Sequence, residues 1–154
     1  MGNNNGYAQD SEISWVHWDD LPETCEELRE FTRQVIKLRA EQPLLRRENW
    51  RDGMDIKWFN AGGGFQQPDQ WDEGTTLGVY IGRGDLQEEE GVWHDVLLLC
   101  NPFEGNVPFR IPQFGEGGWV LELTTSDSAK RGLTITKEKD FELEGRSLAL
   151  FRRP

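Results

Sequence analysis

The chain has 154 residues, 17 basic and 28 acidic side chains for a formal net charge of −11, and two cysteines. That length holds one domain, or one small domain with an appendage, and can bury a core without disulfides or metal. The charge repels phosphate backbones and anionic lipid, so nucleic acid and membrane are set aside as partners, while a neutral, hydroxyl-rich ligand such as a glucan is not. The hydrophobic share of 36% is low for a globular domain, and 7 Trp, 8 Phe and 2 Tyr offset it with large apolar rings. Cys25 and Cys100 have no metal-ligand spacing and read as two reduced thiols. No stretch is long and apolar enough to span a bilayer, and the polar start, Met1 to Gly6, is no signal peptide; a cytoplasmic location is expected.

In chain order, Gly2 to Asp20 opens on an Asn/Gly run that favours turns and ends in an aromatic cluster of Trp15, His17 and Trp18. A helix is predicted from about Glu23 to Glu41. Pro22 precedes it, Thr24 and Glu27 have the spacing of a capping box, and Pro43 stops it. Leu28, Phe31, Val35 and Leu38 recur at spacings of three and four and form one apolar face, which requires a packing partner. From Leu44 the pattern changes to short strands and turns. Strands are predicted at Asp55–Phe59, Thr76–Ile81, Val96–Cys100, Val107–Ile111 and Trp119–Leu123. Phe141–Leu143 and Ser147–Phe151 read as a closing hairpin around Glu144–Gly145. Gly62–Gly64 reads as a hairpin turn and Leu86–Glu90 as an acidic, solvated loop. Leu97, Leu98 and Leu99 are placed in a central strand, with at least two of them buried. Turn-punctuated short strands imply a mainly β fold, an antiparallel β-sandwich over 44–154, preceded by a loop and one helix over 1–43.

The chemistry expected of a complete enzyme is missing. Glycoside hydrolysis needs two carboxylates about 5 Å or about 6.5–9.5 Å apart across the scissile bond. Acidic residues are plentiful here, but no pattern marks such a pair. Asp69, Asp72 and Glu73 flank Trp71, a grouping able to hold a sugar ring or simply to anchor a polar loop. The sequence has no nucleophile elbow, and its His and Cys are too scattered for a metal site; no cofactor is expected. Arg152 and Arg153 read as solvated terminal charges.

The opening Gly2-Asn3-Asn4-Asn5-Gly6-Tyr7-Ala8-Gln9-Asp10, followed by Ile13-Ser14-Trp15-Val16-His17-Trp18, resembles the glycogen-debranching, isoamylase branch of the α-amylase clan of glycoside hydrolases. Phe31-Thr32-Arg33 with Ile36-Lys37-Leu38-Arg39 looks like that family's last barrel helix, and Pro43-Leu44-Leu45-Arg46-Arg47 like its exit into a C-terminal domain. Ile56-Lys57-Trp58-Phe59, Asp69-Gln70-Trp71, Leu97-Leu98-Leu99-Cys100-Asn101 and Gly145-Arg146-Ser147-Leu148-Ala149-Leu150-Phe151 continue the parallel in order. Gly6, Ala8 and Gln70 depart from the usual Ala or Ser, Cys and Glu.

The resemblance implies a C-terminal portion of an enzyme that hydrolyses α-1,6 branch linkages in glycogen or starch-like dextrins. Residues 1–43 would be the end of a (β/α)8 barrel and 44–154 its β-sandwich domain. The family's catalytic carboxylates lie upstream of this segment, so the chain alone is expected to be a noncatalytic cap, cut from a longer reading frame. With the barrel present, Asn3, Asn4, Asn5, Tyr7, Gln9, Asp10, Trp15 and Trp18 would contact substrate at the barrel mouth. The alternatives are a glucan-binding module that stacks sugar on Trp71 or Trp93, and a homo-oligomer formed through the 24–42 helix face. A coplanar, solvent-facing tryptophan pair would favour glucan binding, and buried rings would favour a cap.

Overall fold

The computed structural model describes residues 10–12, 15, 21–46, 55–72, 74, 76–84, 94–136 and 139–153, which fall in two units, Met1–Val35 and Ile36–Pro154. The single helix among them, α1, spans Glu23–Glu41, as its periodicity and Pro43 require. Glu23 and Glu26 sit in its first turn and Arg39 in its last, both favourable to the helix dipole. Its surface is laced by Glu26–Arg29, Glu30–Arg33 and Lys37–Glu41 pairs, all solvent-screened and weak. The capping box does not form. The helix starts at Glu23, with the Cys25 N–H donating to the Pro22 carbonyl, so Thr24 already lies inside the first turn. None of the nineteen helical residues is buried; Leu28 and Ile36 are each 64% exposed. Proline disfavours helical backbone in the residue before it, and Gln42 is accordingly extended. A single 3-10 turn, Pro43–Leu45, follows and buries Leu44.

Eight strands make up the rest: β1 (Asp55–Phe59), β2 (Leu77–Gly82), β3 (Asp95–Asn101), β4 (Val107–Phe109), β5 (Trp119–Thr124), β6 (Thr134–Ile135), β7 (Phe141–Leu143) and β8 (Ser147–Arg153). Six form an antiparallel sheet in the order β1-β2-β3-β8-β5-β6, and β4 pairs with β7 in a second, two-stranded sheet. Between the sheets lies one core. Leu97 and Leu99 of β3, Phe151 and Ala149 of β8 and Leu121 of β5 meet Phe109 of β4 and Phe141 and Leu143 of β7. The Phe141 and Phe151 rings bridge the sheets edge to face, centroids 5.1 Å apart. Gly78 is obligatory in β2 because the Phe59 ring lies across it; a Cβ there would sit 2.2 Å from the ring. The turn after β1 closes tightly, with Asn60 and Gly64 bonded both through their backbones and through the Asn60 side chain, as the Gly62–Gly64 run implies.

The predicted closing hairpin is wrong. β7 pairs only with β4, and β8 runs between β3 and β5. The three residues between them cross from one sheet to the other instead of reversing within one. Arg146 takes a left-handed φ of 52°, and Gly145 lies so close to the Glu104 backbone that a Cβ would clash at 2.0 Å. Buried Asn101 fixes the crossing by donating to the carbonyls of Leu143 and Glu144 at 3.1 and 3.0 Å. The central-strand expectation holds: Leu97 and Leu99 are both fully buried, while Leu98 points to the other face and is partly open.

Candidate functional site

Of the residues singled out in the sequence, Asp10, Trp15, Asp69, Trp71 and Asp72 are described; Asn3, Asn4, Asn5, Tyr7, Gln9, Trp18 and Trp93 lie outside the described residues, as do Glu73 and the 86–90 loop. Asp10 and Trp15 do meet. The indole Nε1–H donates to Asp10 Oδ1 at 2.7 Å, and the Trp15 N–H donates to the Ser11 carbonyl at 3.1 Å. This turn ties down one indole nitrogen and leaves the Trp15 ring 55% exposed.

Trp71 sits in the loop after β1 and is 50% exposed. It rests edge to face on Trp58 of β1, with centroids 5.6 Å apart and planes at 70°. Amides brace the loop: Gln66 Nε2 donates to the Gln70 carbonyl at 2.5 Å, and the Gln67 N–H donates to Gln70 Oε1 at 3.2 Å. The pair is therefore neither the coplanar platform nor the buried anchor that the sequence left open. One ring is a partly buried support, and the other is presented to solvent.

Two polar groups escaped the sequence reading. The first forms at the end of β8, where Arg153 was expected to be a solvated charge. Its side chain is only 14% exposed, pairs with Asp95, donates to the Phe114 carbonyl at 3.0 Å and lies 5.0 Å from the Trp119 ring centroid. The reason is period-two alternation: Ala149, Phe151 and Arg153 share the inward face, so this arginine is largely covered and held by a partner. Tyr80 also reaches Asp95, at 3.2 Å, and its pKa is pushed up to about 12, first by burial and then by the Asp95 charge. Arg152 is likewise engaged, pairing with Glu122, which also binds Arg131 at 2.9 Å. The second group is a Ser126–Ser128–Glu144 cluster. Ser126 Oγ donates to Glu144 Oε2 at 2.6 Å, and this bond, joined by those from Ser128, holds the Glu144 carboxyl below the usual carboxylate range. In both groups the carboxylates are already bonded to partners of the same domain, an arrangement that clamps strand ends. Burial raises the Cys100 thiol above its ordinary pKa, which makes it a poor nucleophile. Among the described residues, no three His, Cys, Asp or Glu side chains converge as a metal site, and no helix is long and apolar enough to cross a membrane.

No protein-family model matches the chain. Individual proteins do. The chain is 31% identical to the glycogen operon protein GlgX homolog of Mycobacterium tuberculosis over 170 aligned positions, 99% of this chain and 23% of that protein. It is 40% identical to the glycogen debranching enzyme of Dickeya chrysanthemi over 122 positions, 77% of this chain and 16% of that protein. The GlgX homolog of Haemophilus influenzae is 34% identical over 90% of this chain and 20% of its own length. The resemblance carried by the sequence motifs is thus a kinship: the chain is a relative of the glycogen-debranching proteins and spans 16–23% of the length of these three.

Proposed function

We propose that the chain is the noncatalytic C-terminal portion of an isoamylase-type debranching enzyme that cuts α-1,6 linkages of glycogen in the cytoplasm, and that its β-sandwich serves as a structural cap on the catalytic barrel. The observation that carries this reading is the outer face of the six-stranded sheet. The strand register places Ile56 and Trp58 of β1, Val79 and Ile81 of β2, Val96, Leu98 and Cys100 of β3, and Leu148 and Leu150 of β8 together on that face, with Trp58 on the edge strand already met by Trp71. A sandwich that ends at solvent has mostly polar residues there, whereas this face is mostly apolar, with Arg152 and its partner Glu122 at one end. Apart from Val79 and Val96 these nine side chains are only partly buried, the signature of a surface built to be covered.

The same logic extends to α1, whose unburied apolar stripe we assign to the end of the barrel, with residues 1–43 belonging to that unit and 44–154 to the cap. In the isolated chain this stripe would drive self-association. In the whole enzyme the Asn3–Asp10 loop, Trp15 and Trp18 would stand at the barrel mouth and contact the glucan, since barrel enzymes place their sites there.

The test places Leu98→Lys and Leu150→Lys together in the full debranching polypeptide and in this chain alone. The melting temperature should fall by clearly more in the full enzyme than in the isolated chain. Equal melting temperatures for parent and variant in the full enzyme would sink the cap. The isolated chain should release no reducing ends from limit dextrin; activity abolished by mutating residues of this chain would refute the noncatalytic reading.

A further inference from the structure

Among the described residues, Trp71 is the exposed member of the tryptophan ring pairings. Trp119 is buried among Tyr80, Phe114 and Arg153, and Trp58 lies in a strand. Trp71 leaves half its surface in water, although a large ring gains most by complete burial. It is also braced. Trp58 supports it at 70°, and Gln66, Gln67 and Gln70 lock the loop with bonds from the Gln66 amide, the Gln67 backbone N–H and the Gln70 backbone N–H. A ring ordered before binding loses little entropy on binding, which is the property of a recognition anchor. Its neighbours in the chain add a second feature. Asp69 and Asp72 are exposed, and among the described residues neither carboxylate has a hydrogen-bond or ion-pair partner. Both are therefore available as acceptors beside an available aromatic surface.

We infer that Trp71 anchors a noncatalytic contact for a neutral α-glucan, whose C–H face stacks on the indole while its hydroxyls donate to Asp69 and Asp72. The carboxylates exclude phosphorylated or otherwise anionic ligands, and a chain of net charge −11 reinforces that exclusion. Choosing a glucan among neutral polyhydroxylated ligands rests on the debranching reading above. The two are tested separately: the outer-face lysine variants test the cap in the full enzyme, and a glucan titration of the 154-residue chain tests Trp71.

The experiment is native electrophoresis of the 154-residue chain through gels containing glycogen, with maltohexaose as competitor. The chain should be slowed relative to a glycogen-free gel, and maltohexaose should restore its mobility. Trp71→Ala should weaken apparent affinity roughly tenfold, the size expected for loss of one aromatic stacking contact. Trp71→Phe should retain part of the affinity, and Asp69→Asn with Asp72→Asn should reduce it several-fold. Near-UV circular dichroism reports whether Trp71→Ala keeps the fold; if it does not, the Phe and double Asn variants decide. Parent mobility unchanged by glycogen, or retardation that survives these substitutions undiminished, overturns the proposal. So does a Trp71 indole NMR signal that shifts with a lysine-rich peptide and not with maltohexaose, which would make the ring a cation site.

Discussion

Strand β3 and helix α1 carry equally clear apolar patterns, yet the structure treats them in opposite ways. In β3, Leu97 and Leu99 are wholly buried between the two sheets; in α1 no residue is buried at all. The strand's partners, β2, β8 and the two-stranded sheet, all lie within the domain. An apolar stripe thus reveals that a face requires cover, and not whether the same chain provides it. Stability should follow cover and not pattern, and the substitutions below are ordered by how strongly they separate the two.

Leu99→Ala should cost about 2–5 kcal/mol, because a fully enclosed side chain leaves a cavity that the surrounding strands cannot close. Leu98→Ala, one residue away but on the partly open face, should cost less than half as much, about 1–2 kcal/mol. Urea unfolding of the pair checks both; equal losses would mean that the outer face is as enclosed as the core.

Asn101→Ala comes next. Its Nδ2 group donates to the carbonyls of Gly105, Leu143 and Glu144 at 3.0, 3.1 and 3.0 Å, and the residue is buried. Removing it strips buried acceptors of their donor, for about 1–3 kcal/mol. The same chemical denaturation series measures it, and a loss under about 0.5 kcal/mol would show that the crossing between sheets holds without it.

The Ser126–Glu144 bond gives a smaller, pH-dependent effect. Glu144 has its folded pKa depressed, chiefly by the Ser126 hydroxyl. Its contribution is therefore present above the unfolded glutamate value of about 4.3 and is lost as pH falls through the lower folded value. Thermal melts between neutral pH and about pH 3 should show a larger fall for the parent than for Ser126→Ala; parallel curves would remove Glu144 from the account of acid stability. Smallest of all, Leu28→Ala on the open helix face should change stability by no more than about 0.5 kcal/mol in a dilute, monomeric sample.

Much of this contrast was legible in the sequence. The limits of α1 followed from its periodicity and Pro43, and five strands from short apolar runs between turns. What was not legible depended on pairing across the sheets. Phe141–Leu143 and Ser147–Arg153 look like a hairpin because only three residues separate them, and nothing local reports that Gly145 meets Glu104 or that Asn101 claims the intervening carbonyls. β6 is two residues long, too short for any period to show. The burial of Arg153 was readable in principle, since counting by twos from Phe151 puts it on the inner face, but its partner Asp95 is 58 positions away. At the candidate site, the flanking carboxylates singled out Trp71, while the angle and support from Trp58 emerged only once β1 and its following loop were in place.

The most direct test of the central claim, that the core strands are covered within the chain and the helix face is not, is amide hydrogen exchange on the 154-residue chain at two widely separated protein concentrations. Amides of β3 and β8 should be strongly protected at both. Those across 24–41 should exchange readily when the protein is dilute and gain protection only as copies associate. Helix protection equal to that of β3 in a strictly monomeric sample, and unchanged by concentration, would contradict it.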